Sequence, residues 1–144
     1  MLTGEYKHNI DAKRRLAVPA KFRKELGRGA VLTRGLDKCL FVFSKESWNE
    51  FAEKLGKMPF SQQGNRAFAR LFLSGAVEVD FDGLGRALIP DNLVDYAGLK
   101  KETAIIGVFN RLEIWNEEKW ADYRSDLEKN SDGIAEKLGE LGII

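Results

Sequence analysis

Apolar and polar positions run through one order of periods, and that order occurs twice. Residues Asn9–Val18 alternate on either side of a tight polar turn, which predicts two strands joined by a hairpin. Residues Val79–Ile89 do the same, with Asp82-Gly83 at the turn, the strongest short-range hairpin signal. Pro19 and Pro90 then end the strands, and their fixed φ suits a first helical turn. Short helices are predicted at Ala20–Leu26 and Asp91–Ala97, stopped by Gly27 and Gly98. Two further strands follow in each half, Ala30–Thr33 with Cys39–Phe43 and Thr103–Phe109 with Arg111–Trp115. Each half closes on an amphipathic helix capped by Ser44 or Asn116. Trp48, Phe51, Ala52 and Leu55 line one of these helices; Trp120, Tyr123 and Leu127 line the other. Between the halves, Asn65–Gly75 reads as a helix with Phe68, Leu71 and Phe72 on one side and Arg66 and Arg70 one turn apart. The stretch Ser131–Leu141 carries a small stripe of Ile134, Leu138 and Leu141, which either docks on a neighbour or frays.

The repetition extends to identities. Asp11, Arg15, Pro19 and Gly27 recur 71 residues on as Asp82, Arg86, Pro90 and Gly98. After a one-residue slip, Gly35, Leu40, Trp48 and Leu55 align with Gly107, Leu112, Trp120 and Leu127. The chain therefore reads as two copies of one unit, 5–55 and 77–127, with a connecting helix in 56–76 and a helical tail in 128–144. A unit of roughly 50 residues buries too little surface to stand alone, so the two copies are expected to share a core. The fold class is α+β: two βαβ units arranged pseudo-symmetrically, with peripheral helices.

Composition narrows the function classes. At 144 residues, with 44% hydrophobic and 10% aromatic content, the chain is an ordinary globular protein. It has no apolar run long enough for a membrane span and no signal peptide, so a cytoplasmic protein is expected. A single cysteine, Cys39, excludes an internal disulfide and a thiolate zinc cluster. The net charge of +1 argues against a simple basic nucleic-acid binder, but the charges are unevenly placed. Residues 1–28 carry eight bases, Lys7 among them, against three acids; residues 113–140 carry nine acids against four bases. Such a dipole either steers one end toward a polyanion or joins subunits.

Chemistry is sparse. His8 is the only histidine, no glycine-rich phosphate loop is present, and no acidic cluster has metal-ligand spacing. No catalytic residue, metal, cofactor or small-molecule substrate is indicated. The Asp-x-x-x-Arg pair stands apart, because it falls at the turn in both copies. On one reading Asp11 and Asp82 brace the turn, with Arg15 and Arg86 held across it. On the other, the turns project Lys13, Arg14, Arg15 and Arg86 at a polyanion, where the arginine fork suits phosphates and guanine edges.

These motifs resemble the MraZ family, regulators built from two tandem SpoVT-AbrB units. The similarity rests on Asp11-Ala12-Lys13-Arg14-Arg15-Leu16-Ala17-Val18-Pro19, Arg66-x-x-x-Arg70-Leu71, Asp82-Gly83-Leu84-Gly85-Arg86-Ala87-Leu88-Ile89-Pro90 and Phe109-Asn110-Arg111-Leu112-Glu113-Ile114-Trp115. It implies a swapped-hairpin β-barrel in which the two units interleave. It also implies a ring-forming homo-oligomer that binds double-stranded DNA at promoter direct repeats. Such a protein regulates the division and cell-wall gene cluster and its own gene, mainly as a repressor, and associates with the nucleoid. Lys7, Lys13, Arg14, Arg15 and Arg86 become the expected DNA contacts, and Asp11 and Asp82 the turn braces. Two departures qualify the transfer. Arg14 stands where the family commonly has glycine, so the first turn is expected to resist positive φ or to gain a phosphate contact. Leu84 stands where the first copy has Lys13, so the first unit is expected to dominate affinity. A ring-forming scaffold without specific DNA binding is the alternative. A one-unit antitoxin with a disordered tail fits the doubled pattern less well.

Overall fold

A computed structural model describes residues 1–144 as a mixed α+β fold. The first unit contains β1 (Leu2–Asn9), β2 (Arg15–Ala17), α1 (Ala20–Leu26), β3 (Gly29–Arg34), β4 (Leu40–Phe43) and α2 (Lys45–Lys57). After α3 (Gln63–Gly75) the order repeats as β5 (Val77–Asp80), β6 (Arg86–Leu88), α4 (Asp91–Ala97), β7 (Glu102–Phe109), β8 (Leu112–Asn116) and α5 (Glu117–Lys129). A final helix, α6, spans Ser131–Glu140. Local chemistry sets the boundaries. Pro19 and Pro90 precede α1 and α4, and Gly27 and Gly98 end them with positive φ. Ser44 accepts a hydrogen bond from the Ser47 N–H and Asn116 from the Lys119 N–H, so α2 and α5 carry side-chain N-caps.

The strands form a six-stranded antiparallel sheet, β1-β7-β8-β4-β3-β5, and a separate ribbon, β2-β6. The two units exchange their first strands. β1 lies on β7 of the second unit, pairing Leu2 with Phe109 through Asn9 with Glu102; β5 lies on β3 of the first, pairing Gly29 with Asp80. β4 pairs with β8 at the centre. The expected hairpins are thus realised only as turns: β1 and β2 meet in one bridge, Ile10 to Leu16, before diverging to different partners. The expected barrel is likewise not closed. β1 and β5 remain sheet edges, because the three-residue β2 and β6 pair with each other and end at prolines that cannot extend a ladder.

Two cores lie on opposite faces of the sheet. On one, the ribbon side chain Leu16 joins Phe22, Leu93, Ile89, Ile105 and Ile114, all almost fully buried, and Ala87 opposite it on the ribbon is buried as well. Each large side chain so buried contributes about 1.5–3 kcal/mol. On the other, Phe41, Phe43, Phe72, Ala104, Ile106 and Trp115 pack beneath α2, α3 and α5. The Thr33 hydroxyl donates to the Phe72 carbonyl at 2.5 Å, tying α3 to β3.

The β1–β7 crossing is close. A Cβ added at Gly107 would lie 2.5 Å from the Thr3 nitrogen and 2.7 Å from the Leu2 carbonyl carbon. Gly107→Ala is therefore expected to push β1 off its partner and to cost about 1–3 kcal/mol. Urea unfolding measures this as a lower midpoint; an unchanged midpoint would show that the exchanged strand is not held tightly.

Candidate functional site

The ribbon carries the Asp-x-x-x-Arg pairs. Because it is antiparallel, Leu16 and Ala87 face the core, which leaves Arg15, Ala17, Arg86 and Leu88 on the outer face. Each turn is organised by its aspartate. One oxygen of Asp11 accepts from the backbone N–H of Lys13 and of Arg15 at 2.9 and 2.8 Å, and the other accepts from Arg15 Nε at 2.7 Å. Asp82 repeats this with Leu84, Arg86 and Arg86 Nε at 2.9, 2.9 and 2.8 Å. The backbone closes both turns in the same way, through Asp11 N–H to Arg15 O and Asp82 N–H to Arg86 O at 3.0 Å.

Bracing and display are compatible. Asp11 holds Arg15 by Nε alone, so both terminal nitrogens of that guanidinium are without a partner in the chain. Arg86 is held in the same way, with Nη1 a further 3.9 Å from Asp11 Oδ2, an ion pair that crosses the ribbon. The forks are oriented in advance, which lowers the entropy lost when they engage a ligand. Leu84 and Leu88, 72% and 51% exposed, accompany them on the second unit.

Arg14 adopts φ +63°, overturning the expectation that it would resist the turn; its pseudo-symmetric mate Gly85 has φ +74°. The Arg14 guanidinium meets Asp91 at 2.9 Å, and its carbonyl accepts from the Ile89 N–H at 2.8 Å, so contacts across the units help to hold it there. At Gly85 a Cβ would lie 2.5 Å from the Arg23 guanidinium and displace it from the Val18 carbonyl, to which it donates at 3.0 Å. Lys13 is exposed at its turn. Lys7 is not brought to the ribbon. It faces the opposite side of the sheet with Ala104, and its amine pairs with Glu117 at 2.9 Å at the start of α5.

Two grooves flank the ribbon in pseudo-symmetric positions, one lined by Arg23, Lys24 and Arg28 beside Asp80–Asp82, the other by Arg14, Lys100 and Lys101 beside Ile10, Val94 and Leu99. Sequence reasoning counted the first cations only as net charge. Their signal was spacing: Arg23 and Lys24 follow Pro19 on the short helix by about one turn. No group of three or more His, Cys, Asp or Glu side chains could hold a metal ion. Cys39 is buried, which raises its thiol pKa far above the ordinary value and keeps it protonated. No helix is long and apolar enough to cross a membrane.

Both aspartates are held below the ordinary carboxylate range. For Asp11 the main cause is the Arg15 N–H; desolvation opposes it, and the Arg15 guanidinium and Lys13 N–H reinforce it. For Asp82 the Arg86 N–H leads in the same way. A depressed carboxylate stabilises the folded turn above its unfolded pKa and loses that contribution as the pH falls through the folded value. The Arg15 and Arg86 Nε–H resonances are therefore expected to stay protected from neutral pH to about pH 4 and to lose protection only below it. Loss of protection near neutrality would contradict the brace.

The family model described as "MraZ protein, putative antitoxin-like" matches residues 1–71 and again residues 72–139. Among curated relatives, a protein of Acetivibrio thermocellus is 49% identical over 143 residues, covering 99% of this chain and all of the relative. One of Clostridium tetani is also 49% identical and one of Caldicellulosiruptor saccharolyticus 50% identical, with the same coverage. All three carry the name "Transcriptional regulator MraZ".

Proposed function

The chain belongs to the MraZ family, and from that premise we propose that it is a DNA-binding transcriptional regulator rather than an enzyme. The observation that carries this is the outward display of Arg15 and Arg86 on one face of a two-stranded ribbon, each fork aimed by an aspartate at its side. A β-ribbon is narrow enough to enter a major groove, where arginine forks pair with guanine edges or phosphates. The flanking cations, Lys24, Arg28, Lys100 and Lys101, lie on either side of that face, where backbone phosphates would run.

In this reading the units 5–55 and 77–127 act as two AbrB-like halves, joined through 56–76 and followed by the tail 128–144. The exchange of β1 and β5 supports a swapped-hairpin relation between them. Lys13, Arg14, Arg15 and Arg86 touch DNA, while Lys7 is committed to Glu117 and contributes little. The target is a set of direct repeats in the promoter of the division and cell-wall gene cluster, which includes the protein's own gene. Repression is the main outcome, exerted by a homo-oligomeric ring at the nucleoid in the cytoplasm. No small-molecule substrate or membrane takes part.

Fluorescence anisotropy with the DNA upstream of the protein's own gene tests this, with the repeats scrambled as control. A preference of about a hundredfold or more for the intact repeats, with a steep salt slope, is expected. Arg15→Ala should cost about 1–3 kcal/mol of specific binding and relax base preference. Lys13→Ala should weaken binding to both DNAs alike and flatten the salt slope by about one. Equal affinity of Arg15→Ala and wild type for the intact repeats would sink the reader assignment. Weak, salt-erased binding of the wild type to both DNAs would favour a charged scaffold.

A further inference from the structure

We propose that Leu84 and Leu88 are specificity-determining residues of the ribbon face: each reads the 5-methyl group of a thymine next to a base contacted by an arginine. This rests on the DNA-binding reading above and adds to it the base that the apolar side chains select.

The outer face of the ribbon is nearly two-fold symmetric, and the leucines stand where the symmetry breaks. A shift of 71 residues relates Arg15 to Arg86, Lys13 to Leu84 and Ala17 to Leu88. Across the ribbon, Arg15 lies opposite Leu88 and Arg86 opposite Ala17. Directly opposed side chains on one face have Cβ atoms about 4.5–5.5 Å apart, so Leu88 stands next to Arg15. Leu84 precedes Arg86 by two residues, at the tip of the second turn. Along the ribbon the face thus runs from Lys13 to Arg15 with Leu88, then Arg86 with Ala17, then Leu84. Each arginine has one exposed leucine at its side.

An exposed leucine by itself is ordinary. Placement distinguishes these two. The Leu84 N–H donates to Asp82 at 2.9 Å, as the Lys13 N–H does to Asp11. The aspartate that aims Arg86 therefore also holds Leu84 at the tip, so little freedom is lost when the leucine meets a ligand. An apolar protein partner covering both leucines would have to bury the outward ends of two guanidinium groups, at a heavy desolvation cost. A major groove meets both needs at once. It offers guanine and phosphate acceptors to the forks, and the thymine methyl gives it an apolar group at the base edge.

The flanking charges are arranged to match. Beside the second turn, whose tip is Leu84, the groove carries Arg23, Lys24 and Arg28. Beside the first turn, Val94 and Leu99 take the places of Arg23 and Arg28, and the tip itself is Lys13. Phosphate attraction at the second end thus comes from the flank, which frees the tip for a base. Because its two ends differ, the face has a direction, as the direct repeats proposed above require.

Deoxyuridine in place of thymine keeps the base-pairing edge and removes only the methyl group, so it isolates this contact. Fluorescence anisotropy uses the repeat DNA with its thymines replaced one position at a time. Two positions are expected at which the wild type loses about three- to fivefold in affinity, the effect of one buried methyl. Leu84→Lys and Leu88→Ala copy the residues of the other unit, and their thermal midpoints should match the wild type. Each should lose methyl sensitivity at one of the two positions, a different one, and keep it at the other. Leu84→Lys should also steepen the salt slope by about one. A wild type that prefers the intact repeats but has no methyl-sensitive thymine overturns the proposal and leaves the DNA reading standing. So does a variant that weakens thymine and deoxyuridine DNA alike, or loses both altogether, since the leucine is then a general contact. A wild type that does not distinguish intact from scrambled repeats removes the DNA reading itself, and this assignment with it.

Discussion

A unit of some fifty residues with four short strands cannot enclose a core, because too large a share of its surface stays in water. The exchange of first strands answers that constraint. β1 crosses to β7 and β5 crosses to β3, and each of the two cores then draws on both units, the larger running from Leu16 and Phe22 of the first to Ile89, Leu93 and Ile114 of the second. Neither half can leave without exposing the other's interior. The tolerances are correspondingly small where strands cross, as at Gly107 against Thr3 and at Gly29 against Val79.

The exchange also determines where the turns go. Once β1 and β5 leave for opposite ends of the sheet, β2 and β6 have no partner but each other, and their buried Leu16 and Ala87 face inward. The outer face of that ribbon is then bound to carry Arg15 and Arg86, one position away on each strand. Their aspartates serve fold and display together. The same carboxylate that accepts the turn's N–H groups holds the guanidinium by its side nitrogen and leaves its fork outward. The brace itself is made of hydrogen bonds within four residues, while contacts from the other unit hold the turn's Arg14.

The charge dipole divides the molecule's surfaces. The basic N-terminal segment frames the ribbon through Lys13, Arg23, Lys24 and Arg28, while the acidic C-terminal segment sits on α5 and α6 beyond the far side of the sheet. A modest net charge therefore conceals two surfaces of strong and opposite character.

How much of this was legible depends on range. The short helices at Ala20–Leu26 and Asp91–Ala97, the caps Ser44 and Asn116 and the paired Asp-x-x-x-Arg turns follow from local chemistry, and the structure has them where proline, glycine and spacing put them. The hairpins did not survive as hairpins, because a turn determines only its own few residues; which strand lies beside which is decided by burial across more than ninety residues of chain. Arg14 at φ +63° was misjudged for the same reason: local preference opposes the conformation, and contacts from Ile89 and Asp91 of the other unit help to hold it. Lys7, an expected DNA contact, is instead held by Glu117, and Arg23, for which the sequence suggested no role, lies beside Gly85 at the ribbon. The sequence alone determined the repeat, its turns and its charges, all of which act over a few residues. Tertiary structure alone decided the strand exchange, the open sheet and the common face of the two arginines, since each needs groups far apart in the chain to compete for the same buried space.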